Sequence, residues 1–264
     1  MDMALDPNLS NVERQRKIVA EVDRRARITV AQVCDLFQIS EATARRDLEQ
    51  LAGQGKLQRV HGGALTLQIG QSAPPELPLA DRSTEHGEEK RRIGAAAAAL
   101  IQEGESIFIS SGSTTLEVAR GLRGRKNLTV ITNSLLVINV LAGENGITLV
   151  GLGGVLRKSE QSFIGHIAEQ SLNELRADKV ILGVRAIHLE QGLTNDYLEE
   201  TRTDRAILKI GREVILVADH SKLGRVSTAF VAPLTAVQRL VTDSGAQLDF
   251  VRALEASGIL VTVV

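Results

Sequence analysis

Six short runs of apolar, largely β-branched residues recur from residue 106 onward, at 106–109, 128–131, 147–150, 179–182, 214–217 and 240–241. Segments of helical pattern lie between them, at 114–122, 134–142, 167–175 and 199–209. Each run is apolar throughout rather than at alternate positions, so each predicted strand buries both of its faces. Continuous apolar strands divided by helices predict an α/β fold with a mostly parallel sheet covered on both sides. A chain folded this way binds ligands in the crevice beyond the carboxyl ends of its strands. Ahead of the first strand, the charged stretch 81–92 leads through the alanine run 95–99 into a helix predicted to end near Gly104.

The first sixty or so residues are organised differently. Thr29-Val30-Ala31-Gln32 is a capping box, with Ile28 and Val33 as its hydrophobic staple and Val30, Val33 and Leu36 as a buried stripe. After a tight turn at Gln38-Ile39, Ser40 is a good N-cap for a second short helix, whose Ala44, Leu48 and Leu51 share the inward face. Thr43, Arg45, Arg46 and Glu49 then face outward. An earlier helix, about 12–27, turns Ile18, Val19 and Val22 inward. Downstream, Lys56, Arg59 and His61 make a basic hairpin tipped by Gly62-Gly63. Three short helices and a hairpin predict an N-terminal winged helix-turn-helix, which seats one helix in the DNA major groove and braces the wing on the backbone. An isolated Arg-Arg pair reads as a solvated surface feature, with Asp47 and Glu49 as local partners. Within this order of elements, double-stranded DNA is the expected partner rather than a protein. The candidate DNA contacts are Ser40, Thr43, Arg45, Arg46, Arg59 and His61.

At 264 residues the chain suits a small domain followed by a larger one. Three of the five prolines fall between residues 74 and 78, where they favour a stiff extended connection. The expected layout is a winged helix at 10–68, a Pro-rich linker at 69–84 and an α/β domain at 85–264. The net charge of −1 hides an asymmetry: residues 10–63 hold ten Lys/Arg against seven Asp/Glu, and residues 70–264 hold twenty-one against twenty-three. So weak a basic footprint makes a homodimer or higher homo-oligomer the expected DNA-binding unit. The single cysteine, Cys34, lies on the buried side of a helix and reads as a core residue. No intrachain disulfide is possible, and no metal or cofactor is expected. The N-terminus carries no apolar signal segment and 95–101 is too short to span a bilayer, so a cytoplasmic protein without membrane contact is expected.

The polar loops of the larger domain fall where a crevice is predicted. After the first strand, Ser110-Ser111-Gly112-Ser113-Thr114-Thr115 runs straight into a helix. A glycine turn there aims backbone N–H groups and several hydroxyls at one spot, and the helix N-terminus adds positive partial charge, which makes a phosphate cradle. The Gly-Lys-Ser/Thr ending of a nucleotide P-loop is missing, so ATP is not expected. Taken alone, the loop reads equally well as an ordinary Ser/Thr helix cap. Thr132-Asn133-Ser134, Gly151-Leu152-Gly153-Gly154 and Asp219-His220-Ser221-Lys222 follow other strands and favour binding. Lys222 is read either as a charge partner for a phosphate or as a solvated loop lysine.

Several motifs together carry a resemblance. They are Glu13-Arg14-Gln15 with Ile18-Val19, Ser40-x-x-Thr43-x-Arg45-Arg46-Asp47-Leu48, Gly55-Lys56-Leu57 and Arg59-Val60-His61-Gly62-Gly63-Ala64. In these the chain closely resembles the DeoR family of bacterial transcriptional regulators, over nearly everything beyond the first ten or so residues. The resemblance implies a repressor of sugar or carbohydrate metabolism genes, with a sensor domain similar in fold to ribose-5-phosphate isomerase. It also implies a phosphorylated sugar or sugar derivative as effector, held by Ser111, Gly112, Ser113, Thr114, Thr115, Asn133, Gly153, Gly154 and Lys222. Three positions depart from the family pattern: Ala44 replaces a larger Ile or Val, Ser110 stands where many members have an acid, and Val184-Arg185-Ala186-Ile187-His188 replaces a Ser-Gly-Ile-Asp type of segment. The competing reading is a sugar-phosphate isomerase-like enzyme. That chemistry needs a positioned carboxylate base, which the Gly183-Val184-Arg185-Ala186 segment lacks. Asp196, Glu199 and Glu200 nearby read as an ordinary preference of acids for a helix N-terminus. No catalytic residue is assigned, and the expectation is a regulator.

Overall fold

The computed structural model describes residues 11–25, 27–54, 56–60, 62–66 and 79–264. The chain divides into two compact units, Met1–Gln71 and Ser72–Val264. His61, Gly55 and the prolines at 74–78 lie outside the described residues.

In the first unit α1 (Asn11–Arg25) leads to β1 (Arg27–Thr29), α2 (Val30–Phe37) and α3 (Glu41–Gly53). The antiparallel strands β2 (Leu57–Val60) and β3 (Gly63–Thr66) follow, and β1 pairs with β3, giving the order β1-β3-β2. The capping box forms as its residues require: Thr29 Oγ1 accepts the Gln32 N–H at 3.1 Å and Gln32 Oε1 accepts the Thr29 N–H at 2.8 Å. Gln38 ends α2 in the left-handed region, φ 51°, and Ser40 begins α3. Ile18, Val22, Ile28, Val33, Phe37, Ala44, Leu48, Leu51 and Leu57 make the core. Two expectations shift in detail. Phe37, not Leu36, completes the buried stripe of α2, and Cys34 is only half-buried at the edge of the core. Gly63 opens β3 rather than forming the turn. A Cβ there would lie 2.1 Å from the Ile28 carbonyl oxygen, so the pairing of β1 with β3 admits no larger residue.

One carboxylate joins the helices of this unit. Asp47 is buried on α3, and its Oδ2 accepts Arg14 Nε at 2.7 Å while its Oδ1 accepts Gln15 Nε2 at 3.0 Å. Gln15 Nε2 also reaches Gln50 Oε1 at 2.9 Å, so α1 grips α3 at two successive turns. The sequence reading left Asp47 on the surface beside Arg45-Arg46; the tertiary fold places it inside.

The second unit opens with α4 (Leu79–Thr84) and α5 (Gly87–Ala99), where sequence alone suggested one helix. His86 separates them in a left-handed conformation, φ 52°. Then come β4 (Ser106–Ile109), α6 (Ser113–Gly121), β5 (Leu128–Thr132), α7 (Leu135–Leu141), β6 (Ile147–Gly151), β7 (Val155–Arg157), β8 (Ser162–Ile164) and α8 (His166–Asn173). These are followed by β9 (Ala177–Leu182), β10 (Ala186–His188), β11 (Gly192–Asn195), α9 (Leu198–Leu208), β12 (Gly211–Val217), β13 (Ala229–Ala232), β14 (Arg239–Thr242), α10 (Leu248–Ala256) and β15 (Leu260–Val263). Among the described residues, seven strands form one sheet in the order β15-β14-β12-β9-β4-β5-β6, and every neighbouring pair is parallel. The continuous apolar runs are explained by this sheet. Phe108, Val180, Leu182 and Leu216 point into one apolar layer, and Ile107, Ile109, Ile181 and Ile215 point into the other. Small antiparallel sheets, β10-β11-β13 and β7-β8, lie outside it. Residues 79–84, read from sequence as linker, are the helix α4 of this unit.

Asp47→Ala removes the acceptor of Arg14 Nε and one of the two acceptors of Gln15 Nε2. The expected cost is about 1.5–3 kcal/mol, measured as faster amide exchange in α1 and α3 with the second unit unchanged.

Candidate functional site

Two polar surfaces stand out, one in each unit. On α3, Ser40, Arg45, Arg46 and Glu49 are exposed and Thr43 is half-buried. Ser40 Oγ accepts the Thr43 N–H at 3.3 Å and lies 2.9 Å from Thr43 Oγ1, so both side chains already serve the start of the helix. Arg45 Nε donates to Glu41 Oε1 at 3.0 Å, an exposed i,i+4 pair. Such an exposed pair, screened by solvent, adds little to stability and is easily exchanged for another anion. Arg46 is exposed and has no ion-pair partner among the described residues. On the wing, the Arg59 guanidinium donates to the Gly63 carbonyl, bracing the hairpin across its own strands. His61 cannot be placed, since it lies outside the described residues.

The second surface is a cavity at the carboxyl ends of β4, β9 and β12, which are adjacent in the sheet. After β4, Ser111, Gly112, Ser113, Thr114 and Thr115 line it; after β9, Gly183, Val184 and Arg185; after β12, Ala218 and Lys222. Gly112 is the N-cap of α6 at φ 144°, a backbone conformation that other residues rarely adopt, and it offers no side chain to the first turn. The leading amides of α6 therefore have no side-chain cap. Thr115 Oγ1 donates to the Gly112 carbonyl at 3.0 Å and is committed to the turn itself. Ser110, noted as a departure from the acidic pattern, is buried and ties two loops together. Its Oγ accepts the Gly183 N–H at 3.2 Å and donates to the Ser111 carbonyl at 3.3 Å.

The other expected residues divide. Lys222 reaches the cavity from a 3-10 turn at His220–Lys222, and burial lowers its pKa while Asp219 works against that shift. Asn133 stands behind the cradle: its Oδ1 accepts the Ser111 N–H at 3.2 Å, and Nδ2 donates to the Phe163 carbonyl at 3.3 Å. Gly153 and Gly154 are not among the lining residues, because β6 ends at the sheet edge, two strands from β4. A Cβ on Gly154 would meet the Ile164 oxygen at 2.7 Å, so that glycine serves the approach of the β7–β8 hairpin. His188 Nδ1 accepts the N–H groups of Glu190 and Gln191, both at 3.2 Å, and closes the β10–β11 turn away from the cavity.

Sequence reading did not identify the opposite wall. Arg82 of α4 pairs with Glu160, and Lys90 of α5 donates to the Arg82 carbonyl at 2.6 Å and the Glu85 carbonyl at 2.7 Å. Arg185 pairs with Asp196 at 2.8 Å. Glu200 and Asp204, four residues apart on α9, are buried and line the cavity. Glu200 is paired with Arg157 and accepts Ser162 Oγ at 3.3 Å, while Asp204 accepts Asn195 Nδ2. The signal was present in the sequence as polar residues at helical spacing: the buried side of α9 consists of Glu200, Thr201, Thr203, Asp204 and Ile207. Glu200 is thus a cavity residue and not only a helix-terminal charge.

The chain matches the family of the DeoR-like helix-turn-helix domain over residues 14–69 and that of the DeoR C terminal sensor domain over residues 85–244. It is 36% identical to the transcriptional repressor AccR of Agrobacterium fabrum, over 89% of this chain and 91% of that protein. It is 34% identical to a putative aga operon transcriptional repressor of Escherichia coli O157:H7, over 96% of this chain and 93% of that one. The glycerol-3-phosphate regulon repressor of Escherichia coli K12 is 32% identical, over 93% of this chain and 96% of that protein. Among solved structures, ribose 5-phosphate isomerase A of Methanocaldococcus jannaschii aligns with a TM-score of 0.40 and 19% identity, over 52% of this chain and 55% of that one. Among the described residues, no helix is long and apolar enough to cross a membrane.

Burial, reinforced by the charge of Glu160, pushes the Glu200 carboxyl from 4.5 up to about 7 despite Arg157. The folded-state pKa is the higher one, so this group favours folding fully below the unfolded value and loses that contribution as pH rises through about 7. Glu200→Gln cannot ionise, and its Tm is expected to fall less than that of the wild type between about pH 5 and about pH 8. Parallel melting curves that fall equally would count against a strained carboxylate here.

Proposed function

Since this chain belongs to the DeoR family of transcriptional regulators, and is a regulator rather than an enzyme, we propose that it represses carbohydrate-metabolism genes and is controlled by a phosphorylated sugar or sugar derivative. In this reading a winged helix within 10–68 binds the operator, the Pro-rich segment connects it, and the remainder senses the effector. Arg46, and Arg45 once released from Glu41, reach base edges and phosphates from α3, with Ser40 and Thr43 at the start of the same helix. Arg59 and His61 place the wing on the sugar-phosphate backbone. A homodimer or higher homo-oligomer provides the paired half-sites that a modest positive charge needs for affinity.

The observation that carries the sensing reading is the cradle itself. The uncapped amides of α6 and the hydroxyls of Ser111, Ser113 and Thr114 share one cavity with the Lys222 ammonium. That combination recognises a phosphate monoester. Asn133 supports the cradle from below. In sequence, α4 is the first described element after residues 67–78. Arg82 of α4 is bound to Glu160, and its carbonyl is bound by Lys90. A ligand that draws on Lys90 or Glu160 competes with the bonds that hold α4. It shifts DNA affinity to the extent that it binds the DNA-competent and DNA-incompetent arrangements of the protein unequally.

Arg45→Ala and Arg46→Ala are each expected to weaken operator binding at fixed salt, by about 1–3 kcal/mol where a bidentate base contact is lost. Unchanged affinity in both variants would overturn the assignment of α3. Gly112→Asp puts a carboxylate in the cradle and is expected to abolish release of DNA by sugar phosphates while operator binding persists; Lys222→Ala acts in the same direction more mildly. Both are read by gel-shift titration, and release of Gly112→Asp at the wild-type ligand concentration would place the phosphate elsewhere.

A further inference from the structure

The cavity leaves two ionisable groups without a charge partner among the described residues, not one. Beside the cradle, Lys222 has no ion-pair partner among the described residues. On the α9 wall the carboxylates are treated unequally. Glu160 faces Arg82 and Glu200 faces Arg157, so each has a guanidinium. Asp204, 6% exposed, has the amide of Asn195 and no cation within ion-pair distance among the described residues. A buried carboxylate with a single neutral donor is costly, and the cost is relieved by a cation brought to it. The phosphate ester of a sugar without an amino group would answer the cradle and leave this wall as it is.

From this juxtaposition, and resting on the sensing reading above, we propose that the effector is a phosphorylated amino sugar, whose phosphate sits in the Gly112 cradle and whose ammonium group pairs with Asp204. Burial and the neighbouring charges of Glu200 and Glu160 push the Asp204 carboxyl well above the usual carboxylate range, which favours its protonated form; an ammonium brought beside it favours the ionised one. Asn195 holds one side of the carboxylate through Nδ2 while its Oδ1 accepts the Arg185 N–H at 3.0 Å. Asn195 is therefore fixed at both ends and orients Asp204 towards the cavity. The polar buried side of α9, with Thr201 and Thr203 between the two acids, fits a wall built to meet a polar ligand rather than to fill a core.

Two matched pairs of probes test this on the full chain by titration calorimetry: glucosamine 6-phosphate against glucose 6-phosphate, and galactosamine 6-phosphate against galactose 6-phosphate. Within each pair only an ammonium and a hydroxyl at one carbon are exchanged. The expected result is that the amine of at least one pair binds tenfold or more tighter than its hydroxyl twin. Asp204→Asn, which keeps the shape of the side chain, is expected to erase that preference and still bind the hydroxyl twin. Amine and hydroxyl members binding within threefold of each other in the wild type overturn the proposal while leaving the cradle standing. A preference retained in Asp204→Asn also overturns it. If no phosphate ester binds, the sensing reading falls and this proposal falls with it. The wild-type comparison decides even where the variant folds poorly.

Discussion

A parallel sheet ends all its strands on one side, and the sensing unit depends on that constraint. Because β4 lies between β9 and β5, the loop after β4 can be anchored from both flanks. From β9, the Ile181 carbonyl accepts the Ser110 N–H at 3.0 Å, and the Gly183 N–H reaches Ser110 Oγ. From β5, Thr132 Oγ1 donates to the Ile109 carbonyl at 2.6 Å and Asn133 accepts the Ser111 N–H. A loop fixed on two sides keeps its amides aimed without help from a ligand, which is what preorganised recognition of an anion requires. Gly112 permits the turn, but the neighbouring strands hold it in place.

The chemistry of the cavity comes from elements outside the sheet. The β7–β8 hairpin and the segment between its strands supply Arg157 and Glu160, α4 and α5 supply Arg82 and Lys90, and α9 supplies Glu200 and Asp204. Each is an ionisable group out of water, and all but Asp204 have an ion-pair or carbonyl partner held close. The pairs therefore do two things together: they shape the cavity, and they attach α4 to it. A change in what the cavity contains is felt first by those pairs, because they have the most to lose from an altered charge balance.

In the DNA-binding unit a single carboxylate has a comparable place. The helix α3 has thirteen residues and is too short to be stable alone, so its orientation is set by tertiary contacts. Ala44, Leu48 and Leu51 bury one face, and Asp47 adds a directional bond that apolar contacts cannot provide. Arg45 and Arg46 are presented outward because Asp47, between them and the core residue Leu48, is drawn in towards Arg14 and Gln15.

Local pattern was enough for the class of fold and for most of its parts. The capping box at Thr29, the inward faces of α1 and α3, and the six apolar runs that became sheet strands depend on neighbours within a turn or a pleat. The turn at Gly112 was legible for the same reason, as a glycine followed by hydroxyls at the start of a helix. What escaped was of two kinds: β7, β8, β10, β11 and β13 are strands of only three or four residues, too short for a period to show, and β13 pairs with β11 across some forty residues; β15 and α10 were not seen at all. The burial of Asp47 and the exclusion of Gly153 and Gly154 from the cavity follow from which strands and helices become neighbours. So does the meeting of Glu160, Glu200 and Asp204 with Arg82 and Lys90 across 122 residues of chain, from 82 to 204. Residue order along one element sets its period and its caps; strand order in the sheet, decided by the packing of the whole unit, sets which loops share a cavity and which charges must answer one another there.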